Sequence, residues 1–157
     1  MIDTEESTAP MDIKSTLQSD LKDAMRRGEE TRKSTLRMAL TAIKLAEVEK
    51  GAQMDEAAYM AIIQKEIKSR RESIADAEKA NRPEMIVQAE EEIKILQDYL
   101  PASLSQEELE KLARSAIAEA GATSIREMGQ VMKILMPRLQ GRATGDQASQ
   151  VVRKLLQ

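Results

Sequence analysis

Apolar residues recur along this chain at spacings of three and four, the period that returns side chains to one face of a helix. Ile13, Leu17, Leu21 and Met25 stand four apart, and Gly28 follows Arg26-Arg27 as a stop signal. This predicts a first helix over about 13–27. Leu36, Leu40, Ile43 and Ala46 define a second, from about Thr31 to Lys50, closed by Gly51. Asp55 caps a third, which turns Tyr59, Ile62, Ile63, Ile67 and Ile74 inward and runs to about Lys79. At 1.5 Å per residue that helix spans roughly 37 Å, longer than a small domain's core, so its far end is expected to project with a partner.

The partner is a fourth helix that begins at Pro83, a residue suited to a first helical position, and carries Ile86, Val87, Ala89, Ile93 and Leu96 on to Tyr99. The short link Ala80-Asn81-Arg82 makes the two an antiparallel hairpin, and Pro101 ends the module. A restart follows at once. Ser105 and Glu108 have the spacing of a capping box, and Leu104 can staple onto Leu109, so a fifth helix begins there and ends at Gly121. Ser124 and Glu127 predict a second capping box for a sixth helix, which Pro137 terminates or kinks. A last helix, about Asp146 to Leu156, turns Val151, Val152 and Leu155 inward.

No strand-like alternation competes with these patterns. The expected fold is all-α: an N-terminal four-helix module with a long helical hairpin over residues 12–100, then a small three-helix C-terminal domain over 101–157. Residues 1–11, which include Thr8-Ala9-Pro10, are polar and aperiodic and are expected to form a disordered extension. Three helices in so short a tail are marginal for independent stability.

Composition then removes whole classes of chemistry. Cysteine and histidine are both absent, which excludes thiolate nucleophiles, disulfides, Ser-His couples, and imidazole or thiolate metal ligands. Tyr59 and Tyr99 are the only aromatic residues, so Leu, Ile, Val, Ala and ten Met must fill the core. The same scarcity argues against single-stranded nucleic acid, which is held by stacking on aromatic faces. No Walker-type or dinucleotide glycine loop is present, so no nucleotide cofactor is expected. No apolar run reaches the roughly 20 residues of a membrane helix, and Met1-Ile2-Asp3-Thr4-Glu5-Glu6 lacks the features of a signal peptide. A cytoplasmic protein without a membrane partner is the expectation.

Charge is uneven. Through Pro101 there are 16 basic and 21 acidic residues, against 8 and 6 beyond it. Between Gly121 and Gln157 six basic residues face only Glu127 and Asp146, a net +4 that points weakly to a polyanionic partner.

Candidate sites are few. Glu90-Glu91-Glu92 could offer oxygen ligands to a divalent ion, but successive helical residues diverge, which favours a solvated face and no metal site. Ser103, Ser105, Ser124 and Ser149 lack a base, two of them read better as caps, and no catalytic residue is assigned. Lys65, Lys68, Arg70 and Arg71 interleave with Glu66 and Glu72, which reads as an exposed face of i,i+4 ion pairs. Arg26, Arg27, Arg32, Lys33 and Arg37 gather around the first interhelical turn with fewer acids. Gly129 sits inside a helix, where glycine costs about 0.8–1.0 kcal/mol relative to alanine, so something should require the missing side chain. Either a neighbouring helix or a ligand backbone comes close there, and local considerations favour packing.

Met128-Gly129-Gln130-Val131-Met132 with Gly141-Arg142, preceded by Tyr99-Leu100-Pro101 and the Leu104-to-Leu109 cap, resembles the YqeY-like family. That family shares a GatB/YqeY domain with the tail of one chain of the glutamine-dependent aspartyl/glutamyl-tRNA amidotransferase. The likeness runs from Met11 onward and includes Arg70-Arg71-Glu72-Ser73-Ile74. It implies a noncatalytic tRNA-binding protein, with Lys133, Arg138, Arg142, Arg153 and Lys154 meeting phosphates and Gly129 and Gly141 admitting the RNA backbone. A second reading, from another class, is a helical adaptor whose Met-rich apolar face binds a protein partner, for example an enzyme of tRNA metabolism. A carbon-nitrogen ligase using glutamine as amido donor is the third, although nothing here resembles the catalytic parts. One departure is Thr144, where the family leads one to expect an acid.

Overall fold

Short polar side chains and glycines set the helix ends. The computed structural model describes residues 12–157, so the extension expected over 1–11 lies outside the described residues. Within them the chain forms seven α-helices and one 3₁₀ turn, an all-α protein. Helix α1 (Ile13–Arg27) is capped by Asp12, whose carboxylate accepts the Ser15 N–H at 3.2 Å. Helix α2 spans Glu30–Lys50, and α3 (Glu56–Lys79) starts on the Asp55 carboxylate, 2.9 Å from the Ala58 N–H. Helix α4 (Pro83–Gln97) follows the hairpin tip with Pro83 as its first residue. Helix α5 (Gln106–Ala120) carries the full capping box: the Ser105 hydroxyl accepts the Glu108 N–H at 3.1 Å, and the Glu108 carboxylate accepts the Ser105 N–H at 2.9 Å.

Helix α6 (Met128–Leu139) departs from expectation at both ends. The Ser124 capping box does not form, because Glu127 donates its N–H to the Ser124 carbonyl at 3.1 Å in a tight 3₁₀ turn, Ile125–Glu127. Pro137 does not end the helix, which runs two residues further to Leu139. Helix α7 (Gly145–Leu156) begins on a capping box made by Thr144 and Gln147, with contacts of 3.1 and 3.0 Å. Thr144, where the resemblance leads one to expect an acid, thus does for α7 what a short acidic side chain does at an N-cap.

The chain divides into two compact units between Leu100 and Pro101. In the first, Ile13 and Leu17 of α1, Leu36 and Ile43 of α2, Ile63 of α3 and Leu96 of α4 are almost fully buried. Met25, expected inward, is 51% exposed at the end of α1. Two polar clusters reinforce this core. Arg70 of α3 is buried between two carboxylates, with Nη1 2.9 Å from Glu66 one turn back and Nε 2.8 Å from Glu92 of α4. This corrects the expectation of an exposed face around Arg70 and a solvated one around Glu92, since the hairpin brings the two together. Tyr99 donates its hydroxyl proton to Asp20 of α1 and accepts from Arg32 of α2 at 3.3 Å, while Arg32 lies 3.5 Å from Asp20.

In the second unit the buried side chains are Leu109, Ala113 and Ala116 of α5, Val131, Leu135 and Leu139 of α6, and Ala148, Val151 and Val152 of α7, with Ala122 and Ala143 from the connections. Small residues on α5 and α7 let this three-helix core close without aromatics.

Candidate nucleic-acid interface

The inward stripe of α6 fixes what faces out. Val131, Leu135 and Leu139 recur at four and point into the core, so Gly129 and Lys133, one turn apart, lie on the opposite side with Gln140. All three are exposed. On α7 the same logic turns Ala148, Val151 and Val152 inward and leaves Gln150, Arg153 and Lys154 exposed.

Gly129 corrects the packing expectation. A Cβ built on it would meet nothing within 4 Å, so no neighbouring helix requires its missing side chain. Gly141 has a different explanation. Gln140 and Gly141 have φ of +49° and +74°, two successive left-handed residues that turn the chain out of α6. That turn by itself accounts for a glycine at 141.

Arg138 and Arg142 are committed to contacts within the domain. Arg138 pairs with Glu119 of α5. Arg142 donates from Nε to the Ala102 carbonyl at 2.9 Å, and its own carbonyl accepts the Leu104 N–H at 2.9 Å, pinning the segment that leads into α5 against the α6–α7 turn. Its guanidinium also stands 4.0 Å from Glu108. The Ser105 N–H and hydroxyl hold the Glu108 carboxyl below its usual range, with Arg142 a smaller contributor. Of the seven nominated residues, Gly129, Lys133, Arg153 and Lys154 therefore remain outward without such ties.

The sequence pattern does not single out Ile125 and Met136, 43% and 42% exposed. With the half-buried Met128 and Met132 they form an apolar stripe beside Gly129. The signal is present in the spacing 125, 128, 132, 136, but the inward stripe of the same helix masks it. Among the other nominated cations, Arg32 and Lys33 are paired with acids, whereas Arg27 and Arg37 are exposed. Among the described residues no helix is long and apolar enough to cross a membrane.

A family model described as Yqey-like protein matches residues 14–156. The chain is 38% identical over 85 residues to Altered inheritance of mitochondria protein 41, mitochondrial, from Vanderwaltozyma polyspora, a match covering 54% of this chain and 46% of that protein. Its counterpart in Lachancea thermotolerans is 36% identical over 60% of this chain and 51% of that protein. The one in Pyrenophora tritici-repentis is 32% identical over 81% and 71%. The chain thus spans about half the length of the first two relatives. Their names overturn the expected cytoplasmic location: each is called a mitochondrial protein. A match over nearly the whole chain decides the relationship, and the chain belongs to the YqeY-like family.

Proposed function

We propose that this chain is a noncatalytic tRNA-binding protein whose C-terminal domain meets RNA through the outward faces of α6 and α7. The observation that carries the reading is Gly129, a helical glycine whose missing side chain faces open space one turn from Lys133. Gly129 lies in the first turn of α6, where glycine costs less than in a helix interior, and it is not needed for packing, which favours a benefit from something that comes close from outside. Lys133, Arg153 and Lys154 supply cations for phosphates, and structured RNA is read through shape, phosphate and 2′-hydroxyl groups without need of aromatic side chains.

Three phosphate contacts give a salt slope of about −2.7, so affinity for tRNA is expected to fall about fortyfold between roughly 50 and 200 mM salt. Gel-shift titration of the full chain with total tRNA at the two concentrations checks this, and absent or salt-insensitive binding rejects it. Gly129→Ala separates the two roles of that position. Filling open space with a better helix former should stabilise the domain by up to about 1 kcal/mol, read as a higher thermal midpoint, while weakening tRNA binding. A variant that is stabilised and binds tRNA unchanged removes Gly129 from the interface.

The second reading, an adaptor for a protein partner, is supported by the exposed apolar stripe of Ile125 and Met136, since methionine-rich faces suit helix-in-groove contacts. A partner retained after nuclease treatment and after charge reversal at Lys133 and Lys154 would favour it. Ligase activity ranks last, and glutamine-dependent amidation of mischarged tRNA by the purified chain would reverse that ranking.

A further inference from the structure

Helix α2 is apolar on two sides. Its inward side, Leu36, Ala39 and Ile43, is fully buried, yet Met38, Leu45 and Val48 are 53%, 63% and 71% exposed. A helix with apolar residues on both faces is normally covered on both. The exposed residues follow a coiled-coil pattern: Met38, Thr41, Leu45 and Val48 are spaced three, four, three, which places them at alternating a and d positions of one heptad seam. Lys44 then falls at g and Glu49 at the following e. Both are exposed, and among the described residues neither has an ion-pair partner.

We propose that this seam takes the α2 helix of a second copy of the chain, side by side in parallel register. The charge pattern selects both the occupant and its direction. In a parallel pair each g residue faces the e residue five positions on in the other helix, so Lys44 of each copy meets Glu49 of the other, twice by symmetry. An antiparallel pair would instead set Lys44 against Lys44 of the other copy and leave Glu49 facing an uncharged e position such as Ala42, a like-charge contact with no cation for the acid. Because α2 is already folded in the single chain, pairing carries no cost of helix formation. From Met38 to Val48 the seam is only about three turns long, so association is weak and concentration-dependent.

The chain has no cysteine, so a single introduced thiol reports the register directly. In the parallel pair position 41 faces its own copy. Thr41→Cys in the full chain is expected to form disulfide-linked dimers in a glutathione buffer at least tenfold faster than Ser115→Cys, an exposed control on α5. Sedimentation of the unmodified chain should move from one chain's mass toward two as concentration rises. Leu45→Glu should abolish both effects with the circular-dichroism spectrum unchanged. Lys44→Glu should weaken association at least threefold, and the added Glu49→Lys should restore it by exchanging the two charges. The proposal is overturned if Thr41→Cys links no faster than the control, if the chain stays monomeric into the millimolar range, or if the double exchange restores nothing.

Discussion

Arg70→Ala is expected to cost the N-terminal unit about 3–5 kcal/mol, the usual penalty for removing one partner from a buried charge cluster. Arg70 is 6% exposed, and its guanidinium donates to Glu66, to the Glu66 carbonyl and to Glu92. Alanine would leave two carboxylates facing each other across α3 and α4 with no cation between them. Converting the whole cluster, with Arg70→Met, Glu66→Leu and Glu92→Met together, should recover most of the loss, because desolvation of the ions is removed along with their attraction. Urea unfolding followed by circular dichroism measures both. A loss below about 1 kcal/mol for Arg70→Ala would mean that the cluster is solvated and behaves as a surface pair.

Tyr99→Phe should cost about 1–2 kcal/mol by deleting a buried hydroxyl that donates to Asp20 and accepts from Arg32. The pH dependence is more diagnostic. Burial, then the hydrogen bond to Asp20, raises the Tyr99 hydroxyl above the ordinary value of about 10. The folded chain therefore holds that proton when the unfolded chain has released it. Stability from this group is complete below about pH 10 and declines as pH rises further. Denaturant unfolding at about pH 9 and pH 10.5 should show the decline in the parent chain and a smaller one in Tyr99→Phe. Equal declines would remove Tyr99 as the source.

Most of the fold was legible because its boundaries are local chemistry. Gly28, Gly51 and Gly121 close helices, Asp55 and Ser105 open them, and each acts within one turn of its own position. The errors arose where a local rule competed with its neighbours. Ser124 and Glu127 have the spacing of a box, but the 3₁₀ turn had already taken the amide it needed. Thr144 and Gln147 form a box at the position where an acidic residue was expected. The Arg70 ion cluster with Glu66 and Glu92 was hidden for another reason. Lys65, Lys68, Arg70 and Arg71 look alike in sequence, and only the rotation of α3 against α4 decides which of them is enclosed. The candidate interface was half legible, since the glycine at 129 announced itself, but whether it faced a neighbour or open space depended on the packing of α6.

The hairpin's burial is also graded along its length. Beyond Arg70 and before Ile93 the only buried side chains are Ala77 and Ala89, and both lie outside the main apolar cluster. Half-buried Ile74, which packs against the core cluster, and half-buried Ile86 add to these, and Asn81 holds a left-handed conformation at the bend. Local unfolding draws on the segments with the least buried apolar surface. The hairpin tip beyond Ile74 is therefore the segment expected to open first, with the core below it held longest.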